Sequence, residues 1–303
     1  MRVQVHRRYL AAAAVTLTGC LAITGCGDSP DPAPRPSSST PAVDPALAHL
    51  VPESLRAKGR ITVATDASYA PMSFKDTEGR VVGVDVDLGK AIAAKLGLKA
   101  QFQDAKFDGI LAGVLAGKYD LAISDLVVTK ERQKVVDMVT YLASGQAIAV
   151  KAGNPDSVDP QLLCGVRVAV QSATVAAEEI KNDRNPRCKS AGKEPIPGDG
   201  DKFDLQTQVT AAVTAGRASA MIADSLVVDY AVKQSGGRLE RLGQPYNHAP
   251  TGIAVPKGDG ELTRAVQRAV QSIINDGTYA QILDRWGVGS SAVKEAVING
   301  APD

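Results

Sequence analysis

Hydrophobic positions along the chain fall into two kinds of run. Short stretches of β-branched and other apolar residues, at 61–65, 81–84, 100–103, 120–124, 167–170, 220–224 and 251–256, have the length of strands. Longer stretches with apolar residues three to four positions apart, at 85–97, 109–117, 206–216, 260–275 and 279–285, have the length of helices, and 175–180 opens another. Helix signals agree with these limits: Thr129 and Thr174 stand where N-caps belong, Asp85 and Asp87 sit at the positive end of one helix, and Gly97 closes it. Strands and helices alternate up to about residue 143, and the alternation begins again near 167, which predicts α/β units whose mainly parallel sheets are flanked by helices. Extended crossings near 144–150 and 245–253 would join the two units into a two-lobed clam. The first lobe is expected at 55–146 plus 251–303 and the second at 147–250. Residues 185–202, rich in proline, glycine and charge, predict a surface loop.

The first 54 residues follow neither pattern. Arg2, Arg7 and Arg8 precede an alanine- and leucine-rich run from 9 to 23, which Thr16, Thr18 and Gly19 interrupt. A membrane span needs about 20 unbroken apolar residues, so this is an export signal, residues 1–25. It ends in Leu21-Ala22-Ile23-Thr24-Gly25-Cys26, which resembles the lipobox of bacterial lipoproteins, whose cysteine is acylated and becomes the new amino terminus. Leu17-Thr18-Gly19-Cys20 fits the same pattern. Cys26 is preferred because polar chain follows it at once, whereas Cys20 would leave Leu21-Ala22-Ile23 at the start of the mature protein. Residues 26–54, opening on a run of Ser, Pro, Asp, Thr and Ala, predict a disordered tether that holds the folded part off an outer membrane face.

Composition narrows the function classes. With 44% hydrophobic and 22% charged residues the chain is globular, and about 250 residues beyond the tether suffice for one large or two ordinary domains. A formal charge of +1, with no basic stripe, gives no sign of nucleic-acid binding. There are three histidines, and no HExxH, P-loop, GxSxG or GxGxxG motif, so no metal, cofactor or catalytic residue is assigned. Cys20 and Cys26 belong to the signal region. The remaining pair, Cys164 and Cys188, reads in an exported chain as a disulfide closing the 185–202 loop back on the second lobe.

Candidate chemistry gathers where strands end. In such sheets ligands sit at the carboxyl ends of the strands, where Asp66, Tyr69, Ser124 and Asp125 fall. The stretch from Leu121 to Arg132 is the most informative: an apolar strand delivers Ser124 and Asp125, Thr129 caps a helix, and Arg132 lies one turn in. An arginine beside free N–H groups at a strand-to-helix turn can hold a carboxylate through two charge-assisted hydrogen bonds. Lys130, Glu131, Arg132 and Lys134 also suit an ordinary solvated helix face, and the stretch alone does not choose between the two.

Gly83-Val84-Asp85-Val86-Asp87-Leu88 with Ala91 to Leu96 behind it, Gly252 to Lys257, and Asp276-Gly277-Thr278-Tyr279 leading to Trp286-Gly287 together resemble the polar-amino-acid family of solute-binding proteins that feed ABC importers. The resemblance covers about 58–287. It implies a periplasmic-binding-protein-like (type II) fold, an amino acid ligand, ABC permease and ATPase subunits as partners, a monomer, and a place outside the cytoplasm on the cell membrane. By the family's motif Arg132 would clamp the ligand α-carboxylate with help from Thr174, Asp224 in Ala223-Asp224-Ser225 would take the α-ammonium, Tyr69 would pack over the ligand and Asp66 would address its side chain. The chain departs from the pattern at Val84, Asp125, Val127 and at Ala173 and Val175 around Thr174. Val127, where relatives often carry Ser or Thr, leaves only its backbone for polar contact. Asp125, where they carry Ser, Ala or Gly, is open to three roles: a second ammonium anchor, a partner for a cationic side chain, or a capping or solvated carboxylate.

Two other classes share the scaffold. A cyclohexadienyl-dehydratase-like enzyme would need Asp66 or Asp125 as acid or base and would release product from prephenate or arogenate. A sensing subunit would need a separate signalling partner, since no further apolar span or signalling domain follows Gly287. Mass spectrometry of the membrane fraction is expected to find a diacylated chain beginning at Cys26, and a chain beginning at Cys20 or Leu21 would overturn that choice.

Overall fold

The computed structural model describes residues 43–302; Cys20, Cys26 and the expected signal lie outside them. A single eight-stranded sheet runs through the molecule in the order Lys99–Asp104, Arg60–Thr65, Leu121–Ala122, Leu239–Pro256, Val136–Lys151, Ala220–Asp224, Val168–Gln171, Asp201–Phe203. At each outer end neighbouring strands are parallel, and every antiparallel pairing involves one of the two long strands in the middle. Those two carry the division into lobes. Residues 136–143 pair with 250–256 among the first-lobe strands, and 146–151 pair with 239–246 among the second-lobe strands. The register slips between Leu242 and Tyr246, between Tyr246 and Ala249, and between Thr251 and Gly252, so the ladder is loosest where the chain crosses between the lobes.

The helix Val84–Lys95 shows how local sequence sets the first lobe. Gly83 precedes it at φ 135°, and a Cβ there would lie 2.2 Å from the carbonyl oxygen of Met72. Only glycine allows that approach. The reward is that the carbonyls of Pro71 and Met72 accept from the N–H groups of Val84 and Asp85, two donors that a helix start otherwise leaves unpaired. Val84, Leu88, Ile92 and Leu96 then join Ile61, Val63, Leu121 and Ile123 in one buried core.

Two expectations change. Residues 44–54, assigned to the tether, are folded: Pro45–Ala48 and Glu53–Lys58 are helical, the N–H of Asp44 donates to the carbonyl of Lys95, and Leu47, Val51 and Leu55 are buried in the core. Their four-residue spacing puts three apolar side chains on one face, which proline-rich neighbours had masked. The stretch 185–202 likewise is no plain loop, since Asn185–Ser190 is a helix continuing from Ile180–Arg184. Pro186 falls where the wider turn of Ile180–Arg184 passes into this helix, the irregularity that a residue without an N–H calls for inside a helical run. The side chain of Asn185 accepts from the N–H of Ile196 and donates to the carbonyl of Ile196 and to Asp199, pinning the segment after the helix. Beside it, Arg184 and Glu179 form an ion pair at 2.6 Å with both side chains buried.

Cys164 and Cys188, 24 positions apart in sequence, are bonded. Closing a loop of that length removes chain entropy from the unfolded state worth roughly 3 kcal/mol. Reduction should lower the melting temperature by several degrees, and identical melting of oxidised protein and a Cys164→Ser/Cys188→Ser variant would show that the bridge adds no stability.

Candidate functional site

A cavity of about 440 Å³ lies between the lobes where the two long strands cross. Its walls come from the ends of elements in both halves, and most of its polar groups are fixed by the local turn that delivers them. Thr129 caps the helix Lys130–Gln133 by accepting from the N–H of Arg132 at 3.1 Å, so the arginine leaves the first turn toward the cavity. Its guanidinium lies 5.6 Å from the Phe107 ring centroid, donates from Nη1 to the carbonyl of Val127 at 2.9 Å, and reaches across the lobes from Nη2 to the carbonyl of Ala173 at 3.3 Å. Ala173 holds a left-handed φ of 60°, one step before Thr174 caps the helix Val175–Glu179. The Thr174 hydroxyl donates to the carbonyl of Gln171 at 2.7 Å and accepts from the N–H of Ala177.

Asp224 ends the strand Ala220–Asp224 and caps the helix Ser225–Gln234, one carboxylate oxygen accepting from the N–H of Leu226 at 2.8 Å and the other from the hydroxyl of Ser144 in the crossing. The N–H of Asp224 donates to the Tyr69 hydroxyl at 3.2 Å, which ties a first-lobe hairpin to a second-lobe strand end. Asp125 has a left-handed φ of 46°, and its N–H donates to the Tyr141 hydroxyl, which in turn donates to Asp85 at 2.6 Å. Both carboxylate oxygens of Asp125 are buried without a well-formed hydrogen bond, and the hydroxyl of Thr251, itself unpaired, is the neutral donor near enough to pull on them. A buried polar atom without a partner costs on the order of 1–3 kcal/mol, more when it is charged.

The eight residues singled out from sequence divide into two groups. Tyr69, Asp125, Val127, Arg132, Thr174 and Asp224 line the cavity together. Asp66 and Ser124 do not line it. Ser124 accepts from the N–H of Asp66 at 3.0 Å, and the Asp66 carboxylate accepts from the N–H of Ser68 and, across the lobes, from the side-chain amide of Gln171 at 2.5 Å. That interlobe bond occupies the oxygen expected to face a ligand side chain. Phe107, Ser144, Gln146 and Asn247 also line the cavity and were not foreseen. Phe107 lies on an irregular turn with no periodicity to mark it, and the others belong to the crossings, whose register slips hide which side chains face inward.

Charge in the site is unevenly distributed. Burial pushes the Asp224 carboxyl up to about 6 against the hydrogen bonds from Ser144 and Leu226. Burial does the same to Asp85, also to about 6. For Asp125, burial together with repulsion from Asp224 and Asp85 outweighs the hydroxyl of Thr251 and the pull of Arg132 and raises it well above the usual carboxylate range.

The profile of bacterial extracellular solute-binding proteins, family 3, matches residues 61–289. The arginine-binding protein ArgT of Corynebacterium glutamicum is 36% identical over 260 residues, 85% of this chain and 84% of that protein. Among solved structures, an ancestral arginine-binding protein bound to arginine is 36% identical with a TM-score of 0.69, over 75% of this chain and 98% of that one. An ancestral amino acid-binding protein, a precursor of cyclohexadienyl dehydratase, is 34% identical with a TM-score of 0.68, over 77% of this chain and 97% of that one.

The carboxyls predict a pH dependence. A carboxyl raised by folding from 3.8 to about 6, as in Asp224, holds its proton more tightly in the folded chain; that stability is complete below the unfolded value and is lost as pH rises through 6. The protein without ligand should therefore melt at falling temperatures from pH 4 to pH 7. Asp125→Asn, which keeps the shape and tolerates a left-handed φ, should melt higher than the wild type at pH 7.5. A lower melting temperature for the variant at that pH would mean that Asp125 is not an uncompensated charge.

Proposed function

The chain belongs to family 3 of the bacterial extracellular solute-binding proteins, and we propose that it captures an α-amino acid with a cationic side chain, arginine first among candidates, and delivers it to an ABC importer. The observation that carries this reading is the bare carboxylate of Asp125, which shares the cavity wall with the second carboxylate, Asp224. Arg132 would meet the ligand α-carboxylate in a two-pronged contact, exchanging its bonds to backbone carbonyls for stronger charge-assisted ones. Thr174 and the helix start behind it would assist. Asp224 would receive the α-ammonium, held in place by Ser144 and the N–H of Leu226. The remaining negative charge of Asp125 then favours a ligand carrying a second positive charge, because like carboxylates at this separation from water repel until a cation stands between them.

Capture works by closure. A ligand that touches Tyr69, Asp125 and Arg132 on one lobe and Thr174 and Asp224 on the other binds the closed form better than the open one, and that difference in affinity shifts the population. The importer's membrane subunits would read the closed shape. The arginine-binding names of several relatives support the ligand class, and the family's extracytoplasmic character fits an acyl anchor at Cys26 holding the protein to the membrane. Among the described residues no helix is long and apolar enough to cross a membrane.

Thermal-shift screening of the common amino acids should rank arginine, lysine and ornithine above glutamine and all acidic side chains. Arg132→Ala should weaken binding by about 3 kcal/mol or more, over a hundredfold, and Arg132→Lys should recover only part of it, since an ammonium makes no bidentate contact. If esterifying the ligand carboxylate costs the wild type and Arg132→Ala equally in calorimetric titration, Arg132 is not the carboxylate clamp. An uncharged side chain binding as tightly as arginine would refute the cationic class.

A further inference from the structure

The family match ends at residue 289, yet one wall of the cavity comes from beyond it: Pro302 lines the same space as Arg132 and Phe107. The segment that brings it there is built onto the first lobe. The N–H of Thr140 donates to the carbonyl of Val297, and the N–H of Val297 returns to the Thr140 hydroxyl at 2.8 Å. Val139 and Ile298 form an antiparallel bridge. Asn299 then clamps Met138 from both sides, its N–H donating to the Met138 carbonyl and its side-chain oxygen accepting from the Met138 N–H, while its amide donates to Asp137 at 3.0 Å. Upstream, the side chains of Gln267 and Gln271 hold both backbone groups of Ala296. All of these partners belong to the first lobe, so the strap and Pro302 keep their place against Arg132 whatever the second lobe does.

The end of the cavity that Pro302 closes follows from its neighbour. Ala301 packs on the cluster of Ile110, Val114, Leu126, Val128 and Met138, and Phe107 packs on that same cluster. The Phe107 ring lies beneath the Arg132 guanidinium. The strap therefore shares its apolar seat with the ring that faces the group that would hold a ligand carboxylate. We propose that the strap 297–302 is a specificity element of this chain: Pro302, seated by Ala301 on the apolar cluster, forms a wall at the carboxylate end and bars ligands extended there, such as peptides, while admitting the free amino acid. A ligand continuing past its first carbonyl must displace Pro302, and displacing it means breaking the bonds around Asn299 or pulling Ala301 off its apolar seat.

This inference rests on the binding reading above, and the test separates the two. The probes are the amino acid giving the largest melting shift, L-arginine if that reading holds, and the same residue extended by a carboxyl-terminal glycine. In the wild type the free amino acid should be preferred strongly. In the full-length Ala301→Gly/Pro302→Gly protein the ratio of the two dissociation constants should fall by roughly tenfold or more, the scale on which a lost steric wall relaxes discrimination. Pro302→Trp, a surface substitution that leaves the bonds of Val297 and Asn299 in place, should push in the other direction and weaken the free amino acid. A wild type that binds no amino acid overturns the binding reading and with it the strap's role. A wild type that binds one, with an unchanged ratio in the double variant and unchanged binding in Pro302→Trp, overturns the strap's role alone.

Discussion

Everything in this protein hangs from one antiparallel pair of strands. Val136–Lys151 and Leu239–Pro256 are each long enough to serve both halves of the sheet, and each half of the molecule is completed by its own end of the pair. Because hydrogen bonds within a ladder are shared, neither half can shift along the strands without breaking the other's pairing. What freedom remains is rotation about the crossing, where register slips thin the ladder and Ser144, Gly145 and Gln146 meet 246–249. The cavity lies at that point, and so do Ser144 and Asp224, which means that the axis of motion and the polar end of the site share residues. Motion and binding are coupled by adjacency, with no long relay between them.

The site is arranged at a cost to the fold. Asp85, Asp125 and Asp224 are all buried, and two of them are pushed to about 6 by that burial. Asp85 and Asp224 have donors, from Ser73 and Tyr141 in one case and from Ser144 and Leu226 in the other. Asp125 has only the nearby Thr251 hydroxyl, with no well-formed bond between them, and its left-handed backbone adds a second unfavourable feature at the same residue. Unpartnered charge and sparsely populated backbone gather where a partner is meant to arrive, because an interaction satisfied in advance by the protein has nothing left to offer.

Much of this was legible in the chain, and the parts that were not have identifiable reasons. The helix over 84–95, the caps Thr129 and Thr174 and the pairing of Cys164 with Cys188 depend on local signals, periodicity and elimination, and these survive folding unchanged. Asp66 was misplaced because a strand end says that a carboxylate will lie near the cleft but not which neighbour claims it, and Gln171, 105 positions away, is invisible to any local pattern. Residues 44–54 look like tether by composition, yet Leu47, Val51 and Leu55 find a groove that only the assembled first lobe provides. Pro302 is the extreme case, a turn-like residue near the end of the chain whose position depends on side-chain clamps at Asn299 and Ala296.

The folding of 44–58 onto the first lobe alone has a mechanical meaning. Asp44 is bonded to Lys95, and Leu47, Val51 and Leu55 are sunk in the same core as Ile61 and Leu96. A load applied through the amino-terminal end would therefore enter the molecule at the first lobe, beside Lys95 and Ile61. Were the chain held by that end, the first lobe would be the mount and the second the part free to turn.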